Sequence, residues 1–300
     1  MLLNPILEKD MRTKMRGWRM PVLLSIYLLF MGLVLFLFFT VNDQFTGRYT
    51  GNSFNPRIAV NAYNVIALFQ FGLLMFIVPA LTATSISGER ERQTLDLMLC
   101  SDVSTWSIVM GKLVVSAAHV LLLIIASLPI LGMVLLFGGI TFGEMLLLLL
   151  FYIITALMIA SLGIFCSTLF RKSVVAVIAT YIFLGILGAG PVIALVMIEI
   201  FNMKSGNIVY SYGLVASILL PSPAFGYTSF ISSGQGGSFS IFGEIQQLAD
   251  NSQGWLRFFK PWLLNSAFNL VLSAILISLS AWKLNPVKRR RPKPAPPAEL

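Results

Sequence analysis

Ser87-Gly88-Glu89-Arg90-Glu91-Arg92-Gln93-Thr94-Leu95-Asp96-Leu97-Met98-Leu99 is a dense run of charge between two long apolar stretches. Upstream, Ala62–Ser85 carries no Asp, Glu, Lys or Arg, and downstream Leu113–Phe137 carries none either. Each is long enough to cross ~30 Å of hydrocarbon as a helix. The charged run therefore reads as a loop at a membrane surface, with a span entering it and a span leaving it.

Outward from this loop the pattern repeats. Further apolar spans read at Pro21–Val41, Met145–Leu169, Val174–Ile200 and Leu263–Trp282, which makes six. The composition agrees: 57% of the 300 residues are hydrophobic and only 11% are charged, with a mean hydropathy of +0.86. A soluble chain carries about 25% charged residues. So small a charged share cannot cover a water-facing surface, which excludes a soluble enzyme, a secreted module and a disordered regulator. A transmembrane barrel would need shorter, alternating segments. The sequence thus specifies an all-α membrane protein with six transmembrane helices.

The net charge of +9 sets orientation rather than marking a nucleic-acid partner. With the N-terminus inside, 16 Lys and Arg fall on cytoplasmic segments and 5 on outer ones, so both termini are expected in the cytoplasm of a cell (plasma) membrane protein. Ile208–Leu220 is apolar but only 13 residues long, and reads as a re-entrant or interfacial segment. Cys100 and Cys166 offer no disulfide framework.

Residues 1–20 read as an amphipathic helix lying in the membrane interface. Asn4 suits the cap and Pro5 the first turn, while Leu3, Leu7, Met11, Met15 and Trp18 form one stripe opposite Lys9, Arg12 and Arg16. It serves as a passive anchor or as an elbow that follows the first span. Residues 286–300 read as a disordered basic, Pro-rich tail near anionic lipid.

Within the charged loop, Ser87 is expected to cap a helix that runs on toward Leu99. Glu89–Arg92 and Arg92–Asp96 are spaced as helical ion pairs. Leu95, Met98 and Leu99 would then form a short exposed apolar face, which calls for a partner. A second helix is expected to start near Ser104.

This stretch resembles the coupling region of ABC-2 type transporter permeases, together with Trp106-Ser107-Ile108-Val109-Met110-Gly111-Lys112-Leu113 that follows it. The layout is also similar: an interfacial N-terminal helix, six spans, a small first outer loop, and a long outer segment before the last span. Pro221-Ser222-Pro223-Ala224-Phe225 resembles, more weakly, the Pro-Phe stretch such permeases carry there. The resemblance implies that residues 1–285 form one ABC-2 type transmembrane domain, with a cytoplasmic coupling loop at 86–112 and an extracytoplasmic segment at 201–262. It implies a separate ABC ATPase subunit, which would bind ATP, and a second permease copy or related permease to complete a dimer within the lipid bilayer. Glu89, Glu91, Arg92, Leu95, Met98 and Leu99 would make the contacts with the ATPase.

The fifth span holds Gly185, Gly188, Gly190 and Pro191, read either as close helix packing or as a hinge. Five polar residues lie in or beside spans: Gln70, His119, Glu144, Glu199 and Asn269. Both glutamates fall near outer ends, within reach of water. The single histidine either bonds a neighbouring helix or serves substrate or protons. In the outer segment, residues 232–238 read as flexible. Trp255, Phe258, Phe259 and Trp262 give an aromatic face that anchors in the headgroup layer or covers the outer mouth.

No phosphate loop occurs, since Gly111-Lys112 lacks both the upstream Gly and the following Ser or Thr. No catalytic serine elbow or HExxH pattern occurs, and one histidine with two distant cysteines gives no expected metal site or resident cofactor. Two other readings stand beside a permease. A secondary carrier predicts repeated halves. An intramembrane enzyme would have to build on His119 with Ser116 or Ser127.

Overall fold

The computed structural model describes residues 17–41, 56–95, 104–136, 138, 140–205, 217–235 and 260–284. The regular elements among them are eight helices: α1 (Arg19–Val41), α2 (Pro56–Thr82), α3 (Ser87–Glu91), α4 (Thr105–Leu136), α5 (Phe142–Leu169), α6 (Ser173–Ser205), α7 (Pro223–Gln235) and α8 (Pro261–Leu284). Six are long and apolar enough to cross a membrane, and they coincide with the six spans read from sequence. The residues expected to form the interfacial helix lie mostly outside the described part. Trp18, just before α1, is 86% exposed.

In hydrocarbon a backbone must satisfy itself, so apolar runs of this length form helices. Polar side chains follow the same rule. Ser161, Thr180 and Ser280 each donate to the carbonyl four residues back in their own helix. Pro79, Pro129 and Pro191 sit inside spans, where neighbouring helices and hydroxyls tolerate the missing donor.

Helix α5 is the axis of the bundle: it is the most deeply buried of the six spans, and it touches α2, α4, α6, α7 and α8. Its start is fixed by a capping box, in which Glu144 N–H donates to Thr141 Oγ1 at 3.3 Å and Thr141 N–H donates to Glu144 Oε2 at 3.0 Å. Glu144 thus sits where the sequence placed it, half-buried at a helix end. Helix α1 packs on one side against α2 and α4. Helix α6 is peripheral and the least buried of the six spans.

Helix α7 packs against α2, α5, α6 and α8. Its 13 residues span about 20 Å, too short to cross. Of the 208–220 run expected to be re-entrant or interfacial, only residues 217–220 are described. Residues 232–235, expected to be flexible, are the last turn of α7.

Ser222 caps α7 by accepting from Phe225 N–H at 3.4 Å, with Pro223 in the first turn. The same hydroxyl donates to Gly188 O of α6 at 3.0 Å. From α8, the Asn265 amide donates to Leu220 O at 2.7 Å and Ser222 O at 3.0 Å. Gly226 is required here, because a Cβ would lie 2.6 Å from Asn265 Cγ. An aromatic ladder completes the seat: Phe71 stacks on Tyr227 at 4.8 Å, Phe151 on Phe230 at 5.9 Å, and Trp262 meets Phe230 edge-on at 5.4 Å.

Candidate coupling site

The loop after α2 is tied into the bundle by its own charges. Ile86 N–H and Ser87 N–H both donate to Ser167 Oγ of α5, at 3.0 and 2.8 Å. Ser87 is thus not the cap expected from sequence. Its hydroxyl donates back to Ala83 O at 3.0 Å, and the hydroxyl of Ser167 satisfies the start of α3.

Arg90 and Glu91 grip two different helices. The Arg90 guanidinium donates to Phe170 O at 3.2 Å and Thr168 O at 3.4 Å, the last carbonyls of α5. The Glu91 carboxylate accepts from Ser173 N–H at 2.9 Å and Ser173 Oγ–H at 2.7 Å, at the start of α6. A cation thus meets the negative end of one helix dipole, and an anion the positive end of the next. The Ser173 hydroxyl and backbone N–H hold the Glu91 carboxyl below its ordinary range. This grip is complete at neutral pH. It is lost only as pH falls through that lowered value, because a depressed carboxyl stabilises the fold above its unfolded pKa.

Glu89 does not pair with Arg92. It forms an ion pair with Lys112 of α4, whose side chain is 3% exposed. The loop therefore reaches α4, α5 and α6 at once.

The apolar face is also placed differently. Helix α3 ends at Glu91, and Gln93 takes a left-handed backbone with φ of 59°, so the chain leaves the helical line. Leu95 consequently turns into the core of its own chain and is 3% exposed, rather than presented to a partner. Met98 and Leu99 lie outside the described residues, as does Asp96. Exposed at the tip are Glu91, Arg92, Gln93 and Thr94. The second helix begins as expected, with Ser104 Oγ accepting from Ser107 N–H at 3.3 Å.

A family model described as ABC-2 family transporter protein matches residues 4–279. The chain belongs to this family. No curated protein matches it. An ABC-2 permease is the membrane component of an ABC transporter and works with an ABC ATPase subunit, so this chain is a multi-pass membrane protein of that kind.

In this permease the proline-glycine stretch of α6 forms one continuous helix through Pro191. Among the described residues there is no close packing at Gly185 or Gly188, since a Cβ on either would meet nothing within 4 Å. Among the described residues His119 bonds no neighbouring helix and no other polar side chain: its Nδ1 lies 2.5 Å from Val115 O of its own helix. Gln70 does bridge helices, donating to Ser127 Oγ of α4 at 2.7 Å. Among the described residues no cluster of His, Cys, Asp or Glu could hold a metal. Sequence reasoning missed Arg90, Lys112, Ser167 and Ser173 as parts of the loop's attachment.

Proposed function

We propose that this chain is the permease of an ATP-driven exporter, and that the 86–92 loop transmits the motion of a separate ATPase to the spans. The observation that carries this reading is the grip of one five-residue helix, by Arg90 and Glu91, on the ends of α5 and α6. A push on the exposed tip at Arg92–Thr94 would move both spans together and bias the bundle between inward-open and outward-open states. Met98 and Leu99 would extend the ATPase contact. The proline-glycine stretch around Gly188, Gly190 and Pro191 would act as the hinge, linked to α7 through Ser222.

A second permease completes the pathway, as a homodimer or with a related chain. Helices α1 and α6 support this, because their apolar faces are the least covered in the bundle. Open space beside Gly185 and Gly188 would admit a helix at close range.

Affinity purification of the chain from its native membrane should bring down an ABC ATPase, and the complex should hydrolyse ATP. The chain freed of partners should show no saturable ATP hydrolysis, because it has no phosphate loop. Robust activity in the partner-free preparation, or a functional complex lacking any ATPase, would overturn the reading.

In this assignment the loop and both termini face the cytoplasm of the plasma membrane. Single cysteines test it with an impermeant thiol reagent on intact cells. Ser53→Cys and Ser238→Cys should label, and Ala298→Cys should not. External labelling of Ala298→Cys would reverse the assignment.

A further inference from the structure

At the end of the bundle opposite the 86–92 loop, a cavity of about 130 Å³ opens between α2, α5, α7 and α8. Its walls include Tyr63, Glu144, Phe230, Lys260 and Trp262. Two of these carry unanswered polar atoms. Tyr63 is 1% exposed and Trp262 is 7% exposed, yet Tyr63 Oη and Trp262 Nε1 have no hydrogen-bond partner among the described residues. A buried donor without a partner is costly, and such groups call for a bound species. The cavity also pairs opposite charges, the Glu144 carboxylate at the start of α5 and the Lys260 ammonium at the start of α8.

We propose that this cavity seats a zwitterionic aminophosphate headgroup. The phosphate would take the donors: Lys260, the Trp262 indole N–H and the Tyr63 hydroxyl. The ammonium would take Glu144 and the faces of the aromatic rings around it. The cavity is below the usual drug-sized range of roughly 300–1,000 Å³, so it admits a headgroup rather than a large substrate. It lies at the bundle end, beside the starts of α5 and α8. The proposal rests on this cavity alone and does not depend on coupling to an ATPase.

Native mass spectrometry of the full chain in a maltoside detergent tests it, with short-chain phosphatidylethanolamine and phosphatidylglycerol added in separate titrations. The wild-type chain should retain phosphatidylethanolamine at about tenfold lower concentration than phosphatidylglycerol, a gap typical of one charge-assisted contact. Glu144→Gln should abolish that preference. Glutamine can also close the capping box, so the variant should keep the fold. Lys260→Gln should weaken both lipids by about tenfold, and Tyr63→Phe should weaken both with its ring packing intact. A third titration uses soluble O-phosphoethanolamine. Binding as tight as the lipid's would identify a soluble aminophosphate as the occupant, and much weaker binding would identify the lipid. Equal retention of the two lipids by the wild type, or an unchanged preference in a folded Glu144→Gln variant, would overturn the proposal.

Discussion

Gly163→Ala should destabilise the bundle by about 1–3 kcal/mol, although it adds only one methyl group. A Cβ at Gly163 would overlap Thr82 Oγ1, lie 2.9 Å from Thr82 Cβ and sit 3.3 Å from the backbone nitrogen of Ala83. This is where α2 ends and the charged loop begins, pressed against the central helix. The clash has no easy relief. Thr82 is buried, and its hydroxyl already donates to Val78 O at 2.9 Å. Relief would require α2 and α5 to separate, which would also draw the loop away from Ser167. Thermal unfolding in detergent, followed by size exclusion, measures the cost. The double variant Gly163→Ala with Thr82→Gly should recover much of the loss, because it removes the side chain in the way. A Gly163→Ala chain that melts within about one degree of wild type would show that the contact is looser than described.

Arg90→Ala should stop transport while leaving the six spans assembled. The guanidinium answers two carbonyls at the end of α5, and hydrogen bonds to a charged group are worth on the order of 1.5–3 kcal/mol. That is enough to free the loop but small against the packing of α5. Glu91→Ala should act in the same direction at the start of α6. Arg92→Ala should do less, since Arg92 is exposed, and its effect should weaken with salt. Reconstituted transport and ATPase copurification measure these outcomes together. If Arg90→Ala keeps full transport in the presence of its ATPase, the grip on α5 is not part of the transmission. Leu95→Asp is a poor probe of the partner surface, because Leu95 is buried and its loss would strain the core.

The six spans were legible because their signal is local. A run of about twenty apolar residues carries the requirement for a helix within itself. The capping box of Thr141 and Glu144 is just as local, although it was not read from the sequence. The attachment of the loop was not legible in the same way. Arg90 and Thr168 are 78 positions apart, and no local spacing reports a carbonyl at a helix end. Leu95 was misplaced because helical periodicity was carried through Gln93, where the backbone turns left-handed without the glycine or asparagine that usually announces it. The polarity of α7 concealed it. Thr228, Ser232 and Ser233 break the apolar signal, yet each hydroxyl is returned to a carbonyl of the same helix.

The hold of Asn265 on Leu220 and Ser222 also bears on the order of biosynthesis. Residues 217–235 leave the ribosome before α8 does. Ser222 O already accepts from Gly226 N–H at 3.2 Å, but until α8 arrives the carbonyl of Leu220 has no amide to answer it in the bilayer, where an unanswered backbone group costs several kcal/mol. The segment that becomes α7 therefore waits in water or among the headgroups while the first five spans insert. Entry of the last span brings Asn265, and the two elements sink together. A chain truncated before Pro261 should thus have five inserted helices and a protease-accessible segment at 217–235, so the final span acts as the checkpoint of its own assembly.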